Sequence, residues 1–106
     1  MGKKEFIKEI NKFSERLSND FDVKKIIFFG SRATGNAKKH SDIDLIIVSN
    51  DFEKMNFFER VSNMYEYWKM DMPVDFLCYT EKEFNKLKRL VSIVSHALKE
   101  GIIISD

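Results

Sequence analysis

From Lys3 to Leu17 the apolar residues fall at Phe6, Ile7, Ile10, Phe13 and Leu17, the spacing of one face of an amphipathic helix. Ser18-Asn19-Asp20 closes that pattern. Val23 to Phe29 then runs without polar alternation after Lys25, as a strand buried on both faces does. A polar loop opened by Gly30-Ser31 leads to a second run of the same kind, Ile43 to Val48, and Asn50 to Lys54 is a polar connector. Asn56 with Glu59 forms a capping-box pattern that opens a helix from Phe57 to about Trp68, its Phe58, Val61, Met64, Tyr65 and Trp68 on one stripe. Pro73 sits just ahead of a third strand, Val74 to Tyr79. Thr80 with Glu83 is a second capping box. It opens a single closing helix whose Phe84, Leu87, Leu90, Val91, Val94 and Leu98 face inward, with Gly101 as its C′ residue and Ile102 to Ile104 as a short last strand.

This order of elements predicts an α+β (α/β-type) fold in which a small mixed sheet of three to four strands packs with about three main helices. No linker, repeat or low-complexity stretch interrupts it, so a single domain is expected over residues 1–106. A formal net charge of +1 gives no general electrostatic case for nucleic-acid or membrane binding. No apolar run approaches the ~20 residues that span a bilayer. The charged N-terminus lacks the apolar core of a signal peptide, and the single cysteine, Cys78, suits a reducing compartment, so a cytoplasmic location is expected.

The loop and the strand starts carry the candidate chemistry. Asp42 and Asp44 are two apart, so on a strand they point the same way, roughly 7 Å apart at Cα, while Ile43 points to the opposite, buried side. Side-by-side carboxylates repel unless a cation joins them, although a solvated pair of turn aspartates is the simpler reading of a bare Asp-x-Asp. Asp75 lies inside the apolar run Val74-Asp75-Phe76-Leu77, where an unpaired charge is expensive. A third strand beside the second would bring it to the same cation. Oxygen-only donors suit Mg²⁺ and disfavour zinc. Gly30-Ser31, ending the first strand, permits close backbone approach and free N–H groups for an anion, aided by a helix dipole if a helix starts at Ser31. The Gly30-x₄-Gly35 spacing resembles a P-loop but is followed by Asn36-Ala37, so that reading fails. His40 and His96 read as solvated and Cys78 as a packing residue.

Taken as one pattern, Gly30-Ser31, ten residues, then Asp42-x-Asp44 resembles the signature of nucleotidyltransferases related to DNA polymerase beta. The string FGSRATGNAKKHSDIDL is similar to the minimal nucleotidyltransferase branch, and the resemblance runs along essentially the whole chain. Thr34 stands where many relatives carry a second arginine. The resemblance implies transfer of AMP from ATP to a hydroxyl. Asp42, Asp44 and Asp75 would be the catalytic, metal-binding carboxylates for Mg²⁺ (two ions), and Gly30, Ser31 and Arg32 would bind the nucleotide, with Lys38 and Lys39 as further loop cations. It further implies that the acceptor is a tyrosine of a HEPN-type toxin partner, or that the acceptor site is completed by self-association. The alternatives are an antitoxin that only masks its toxin, or transfer to a small molecule such as an aminoglycoside.

Overall fold

The computed structural model describes residues 1–38 and 41–105; Lys39 and His40, two of the loop positions singled out above, lie outside the described residues. The chain runs α1 (Lys3–Leu17), β1 (Val23–Phe29), α2 (Ser31–Thr34), β2 (Ile43–Ser49), α3 (Phe57–Tyr67), β3 (Val74–Tyr79), α4 (Glu81–Leu87), α5 (Ile93–Glu100) and β4 (Ile102–Ser105). The strands form one four-stranded sheet in the order β3-β2-β1-β4, with β1 antiparallel to both β2 and β4, and β2 parallel to β3. This is the mixed sheet of the expected α+β class. No helix among the described residues is long and apolar enough to cross a membrane.

The uninterrupted apolar runs are explained by the sheet's position. Ile26 to Phe29 and Leu45 to Val48 are buried because β1 and β2 are the two central strands, covered on both sides. One face carries the larger cluster, in which Phe6, Ile10, Phe13 and Leu17 of α1 and Met64 of α3 meet Ile26, Phe28, Leu45, Ile47 and Phe76. Phe13 stacks on Phe76 at 5.6 Å, and Trp68 sets its edge against both rings. The opposite face is covered more thinly by Phe84, Val94 and Ala97 of α4 and α5 over Ile27, Phe29, Ile46 and Val48. Strand parity puts Asp44 and Asp75 on this second face.

Several expectations are corrected. The closing helix is two helices, and Leu90 and Val91 face solvent at 53% and 107% exposure in the turn between them. Ser92 makes the break, since its hydroxyl accepts from the Ser95 amide and donates to the Leu87 carbonyl, capping a new helix while binding the end of the old one. On α3 the inward stripe is Arg60 and Met64; Phe58 and Tyr65 are exposed, because α3 lies along the edge strand β3 and only part of its circumference meets the sheet. The Asn50–Lys54 connector contains a 3₁₀ turn (Asn50–Phe52) that buries Phe52 completely. Gly101 ends α5 in an extended conformation rather than the left-handed one, and is needed for closeness: a Cβ there would overlap the Ala97 carbonyl and approach Ile27 Cγ2.

Candidate functional site

The two strand starts are brought together by register. Asp44 pairs with Asp75 across the parallel β2–β3 ladder, and Ile43 pairs with Val74. The Ile43 amide donates to the Pro73 carbonyl at 3.1 Å, which fixes how the two strands enter the sheet. On the other side of β2, Phe29 pairs with Asp44, so the chain leaves β1 and enters the Gly30 turn beside that carboxylate. Gly30 has φ +78° and ψ −167°, a region open essentially to glycine alone, and a Cβ on it would overlap the Asp44 carboxylate. The glycine is there because the backbone must pass against Asp44.

Asp44 is partly buried, whereas Asp42 and Asp75 are exposed. Asp75 thus does not bear the burial cost its apolar neighbours suggest, because β3 is an edge strand whose second face is thinly covered. Burial, followed by the charges of Asp75 and then Asp42, raises the Asp44 carboxyl to about 6. Those contributions mean that the three aspartates feel one another and that their joint negative charge is costly. A hard divalent cation bound by oxygens would relieve that cost, so the donor set fits Mg²⁺. Among the described residues no three His, Cys, Asp or Glu side chains are gathered at metal-ligand spacing. An ion that keeps waters and takes phosphate oxygens needs only one or two protein carboxylates.

The Gly30-Ser31 turn does open a helix, but α2 is a single turn, ended by Gly35 in the left-handed region at φ +86°. Arg32 is tied into the fold. Its Nε donates to the Ser41 carbonyl at 3.1 Å and its guanidinium lies over the Phe6 ring at 5.5 Å, which fastens the segment entering Asp42 to α2 and α1. Ser41 also accepts from the Lys38 amide through its hydroxyl, closing the described end of the loop.

One group near the carboxylates escaped the sequence reading. The Tyr65 hydroxyl donates to the Val74 carbonyl at 2.5 Å, next to Asp75, and the ring packs edge-on against Phe76. Burial, then the Asp75 and Asp42 charges, push its phenol above the usual range. Sequence spacing assigned Tyr65 to the core stripe, and only the sheet-edge position of α3 separates it from that stripe. Cys78 is the packing residue it was expected to be, 2% exposed, with its thiol pushed up to about 12 by burial.

The mixed sheet, the parallel β2–β3 pair with a carboxylate on each strand, and the glycine turn against one of them define an α/β domain of the nucleotidyl-transfer class. The chain belongs to the nucleotidyltransferase domain family, whose model matches residues 10–104. It is 39% identical over 70 residues to the Haemophilus influenzae protein named "Probable protein adenylyltransferase MntA", over 62% of this chain and 60% of that protein. The chain therefore spans less than two thirds of that curated relative's length. Among solved structures it is similar to a "putative nucleotidyltransferase" from Sulfolobus solfataricus, with a TM-score of 0.68 and 22% identity over 95% of this chain and 80% of that one, a likeness of fold.

Proposed function

We propose that this chain transfers AMP from ATP to a hydroxyl acceptor on a partner protein, with Mg²⁺ at the aspartate cluster. The observation that carries the reading is the register of Asp44 beside Asp75 with the Gly30 turn packed against Asp44, at a carboxyl raised by burial and then by its like-charged neighbours. Asp42, Asp44 and Asp75 would hold the cation, which when bound neutralises charge on the triphosphate and its leaving group. The backbone at Gly30 and Ser31 would receive phosphate oxygens beside the Asp44 carboxylate, against which a side chain at position 30 would clash. Arg32 acts mainly by fixing the entry to Asp42, since its guanidinium already binds the Ser41 carbonyl. Asp75, on the exposed edge strand, faces the side from which an acceptor hydroxyl approaches and orients it for in-line attack on the α-phosphorus.

A tyrosine of a HEPN-type toxin is the acceptor that the family resemblance and the adenylyltransferase relative favour. Masking without transfer is the second reading. It is favoured by the exposed aromatic pair Phe57 and Phe58, at 64% and 81%, which offers binding surface whether or not transfer occurs. The test is incubation with α-labelled ATP, Mg²⁺ and the protein encoded by the neighbouring gene. Label on the partner that disappears with Asp42→Ala and Asp44→Ala is expected. Full neutralisation of the partner by both variants, with no label in wild type, would leave masking as the function.

A further inference from the structure

Asp75, Leu77 and Tyr79 alternate onto one face of β3, so Tyr79 lies four residues, about 13 Å, from Asp75 on the same side. At that end Tyr79, Leu87 of α4 and Phe57 at the start of α3 line an apolar groove, with Lys86 at its rim. Phe57 is 64% exposed, and the Arg60 guanidinium over its ring, at 5.1 Å, steadies it there. Glu83 also lines the groove, but its carboxylate is bound by Arg60 at 2.6 Å. Lys86 continues the rim into a basic row. Lys82, Lys86 and Arg89 stand at i, i+4 and i+7 and line the adjoining surface together with Asn50 and Asn85. All three cations are exposed, and no ion pair among the described residues engages them. Glu81, the acid on that surface, accepts from the Asn50 side-chain amide at 2.7 Å.

We propose that this groove and its basic row dock an acidic amphipathic segment of the acceptor protein. Apolar side chains of the segment seat on Phe57, Tyr79 and Leu87, and its carboxylates meet Lys82, Lys86 and Arg89. The proposal deepens the nucleotidyl-transfer reading above and rests on its choice of a protein acceptor. Charge complementarity selects the occupant: the row is cationic, and the two carboxylates beside it are already bound by Arg60 and Asn50. Apolar anchors flanked by charge of one sign are what an amphipathic helix of the other sign recognises. A nucleic acid would use the cations but leave the apolar floor without a role, and a chain of net charge +1 has little long-range pull on phosphate. A second copy in a two-fold contact would bring the same cations face to face. Docking about 13 Å from Asp75 leaves the aspartates free and sets how the acceptor hydroxyl is presented to them.

The test measures binding by fluorescence anisotropy with neither ATP nor Mg²⁺ present. The probes are a labelled helical peptide with leucines on one face and glutamates elsewhere, the same peptide with lysines for glutamates, and a labelled single-stranded RNA. The glutamate peptide is expected to bind more tightly than the other two, and more weakly as salt rises. The triple variant Lys82→Glu, Lys86→Glu and Arg89→Glu and, separately, Phe57→Ala should each weaken it by about tenfold or more, with melting temperatures within a few degrees of wild type. With α-labelled ATP, Mg²⁺ and the protein encoded by the neighbouring gene, the same variants should raise the KM for that protein by a similar factor and leave kcat unchanged. Preference for the lysine peptide or the RNA, binding that neither variant alters, or a dimer that Phe57→Ala dissociates overturns the docking site. If the variants label the partner with the wild-type KM, the docking site falls and the transfer reading stands. Binding of the glutamate peptide with no label on the partner in wild type supports the docking site and overturns transfer.

Discussion

Two charged clusters sit at opposite ends of β3, and the fold treats them in opposite ways. At the far end Arg60, only 5% exposed, is fully occupied. Its guanidinium donates to Glu83 at 2.6 and 3.3 Å and to the carbonyls of Phe52, Met55 and Cys78 at 3.0 to 3.2 Å. Glu83 also accepts from the Thr80 amide at 2.9 Å as the third residue of the α4 capping box. Burial alone would raise the Glu83 carboxyl, but the bonds from Arg60 and Thr80 reverse this and hold it below its usual value. At the near end, the charges that act on Asp44 are like charges, and they add to burial instead of opposing it. One cluster is closed by opposite charge, and in the other burial and like charge act together on one carboxyl.

The closed cluster is the sharper place to break the comparison. Arg60→Ala removes the partner of Glu83 and leaves three carbonyls to find others; because the Glu83 carboxylate is 39% exposed and screened by water, the loss should be about 2–3 kcal/mol, below the range for a fully buried ion pair. Urea unfolding measures it directly. A loss under 1 kcal/mol would mean that the network contributes little and that the contrast with the aspartates is one of appearance. If the variant is unfolded at room temperature, Arg60→Lys, which keeps the charge but not the fork of donors, should fall between it and wild type.

At the open cluster a comparable effect comes from the backbone. Gly30→Ala forces a side chain into a conformation reserved for glycine and against the Asp44 carboxylate, and should destabilise by about 2–3 kcal/mol. Stabilisation by Mg²⁺ with ATP should also vanish, because the added methyl group displaces the carboxylate. An Ala variant whose melting temperature still rises with Mg²⁺–ATP as in wild type would dissociate the Gly30 turn from nucleotide binding.

Much of this was written in local pattern. The α1 periodicity, the two central strands and the Asn56/Glu59 and Thr80/Glu83 capping boxes all appear where their residues predict them, since each depends on neighbours within one turn or one strand. The Asp44–Asp75 pairing was legible as far as strand order allowed. What could not be read depends on which strand lies at the edge. Asp75 is exposed, and Phe58 and Tyr65 stay outside, because β3 has no strand beyond it. Arg60 left a faint signal, a charge four residues before Met64 on the inward side of α3, but its acceptors lie in three other segments. Ser92 repeated with Ser95 was the missed sign of a new helix. The pair of exposed residues before it, Leu90 and Val91, followed helical spacing too well to suggest a break.

The smallest effect is the one that speaks most directly to the open cluster, and its sign is opposite to the other two. In the metal-free protein the folded Asp44 carboxyl titrates at about 6, above its ordinary value of 3.8. The folded state therefore holds a proton through the interval between those values while the unfolded state has released it, and stability must fall as pH rises from about 4 to 6. Asp44→Asn removes the charge, so it should flatten that slope and stabilise the metal-free protein at pH 7 by about 1 kcal/mol once solvent screening is allowed for. The gain should disappear below pH 4, where wild type is protonated as well. Adding Mg²⁺ with ATP should then raise the melting temperature of wild type and leave Asp44→Asn nearly unmoved, inverting their order. If the variant is less stable than wild type at pH 7 without metal, Asp44 is a structural carboxylate like Glu83, and the difference between the two ends of β3 collapses.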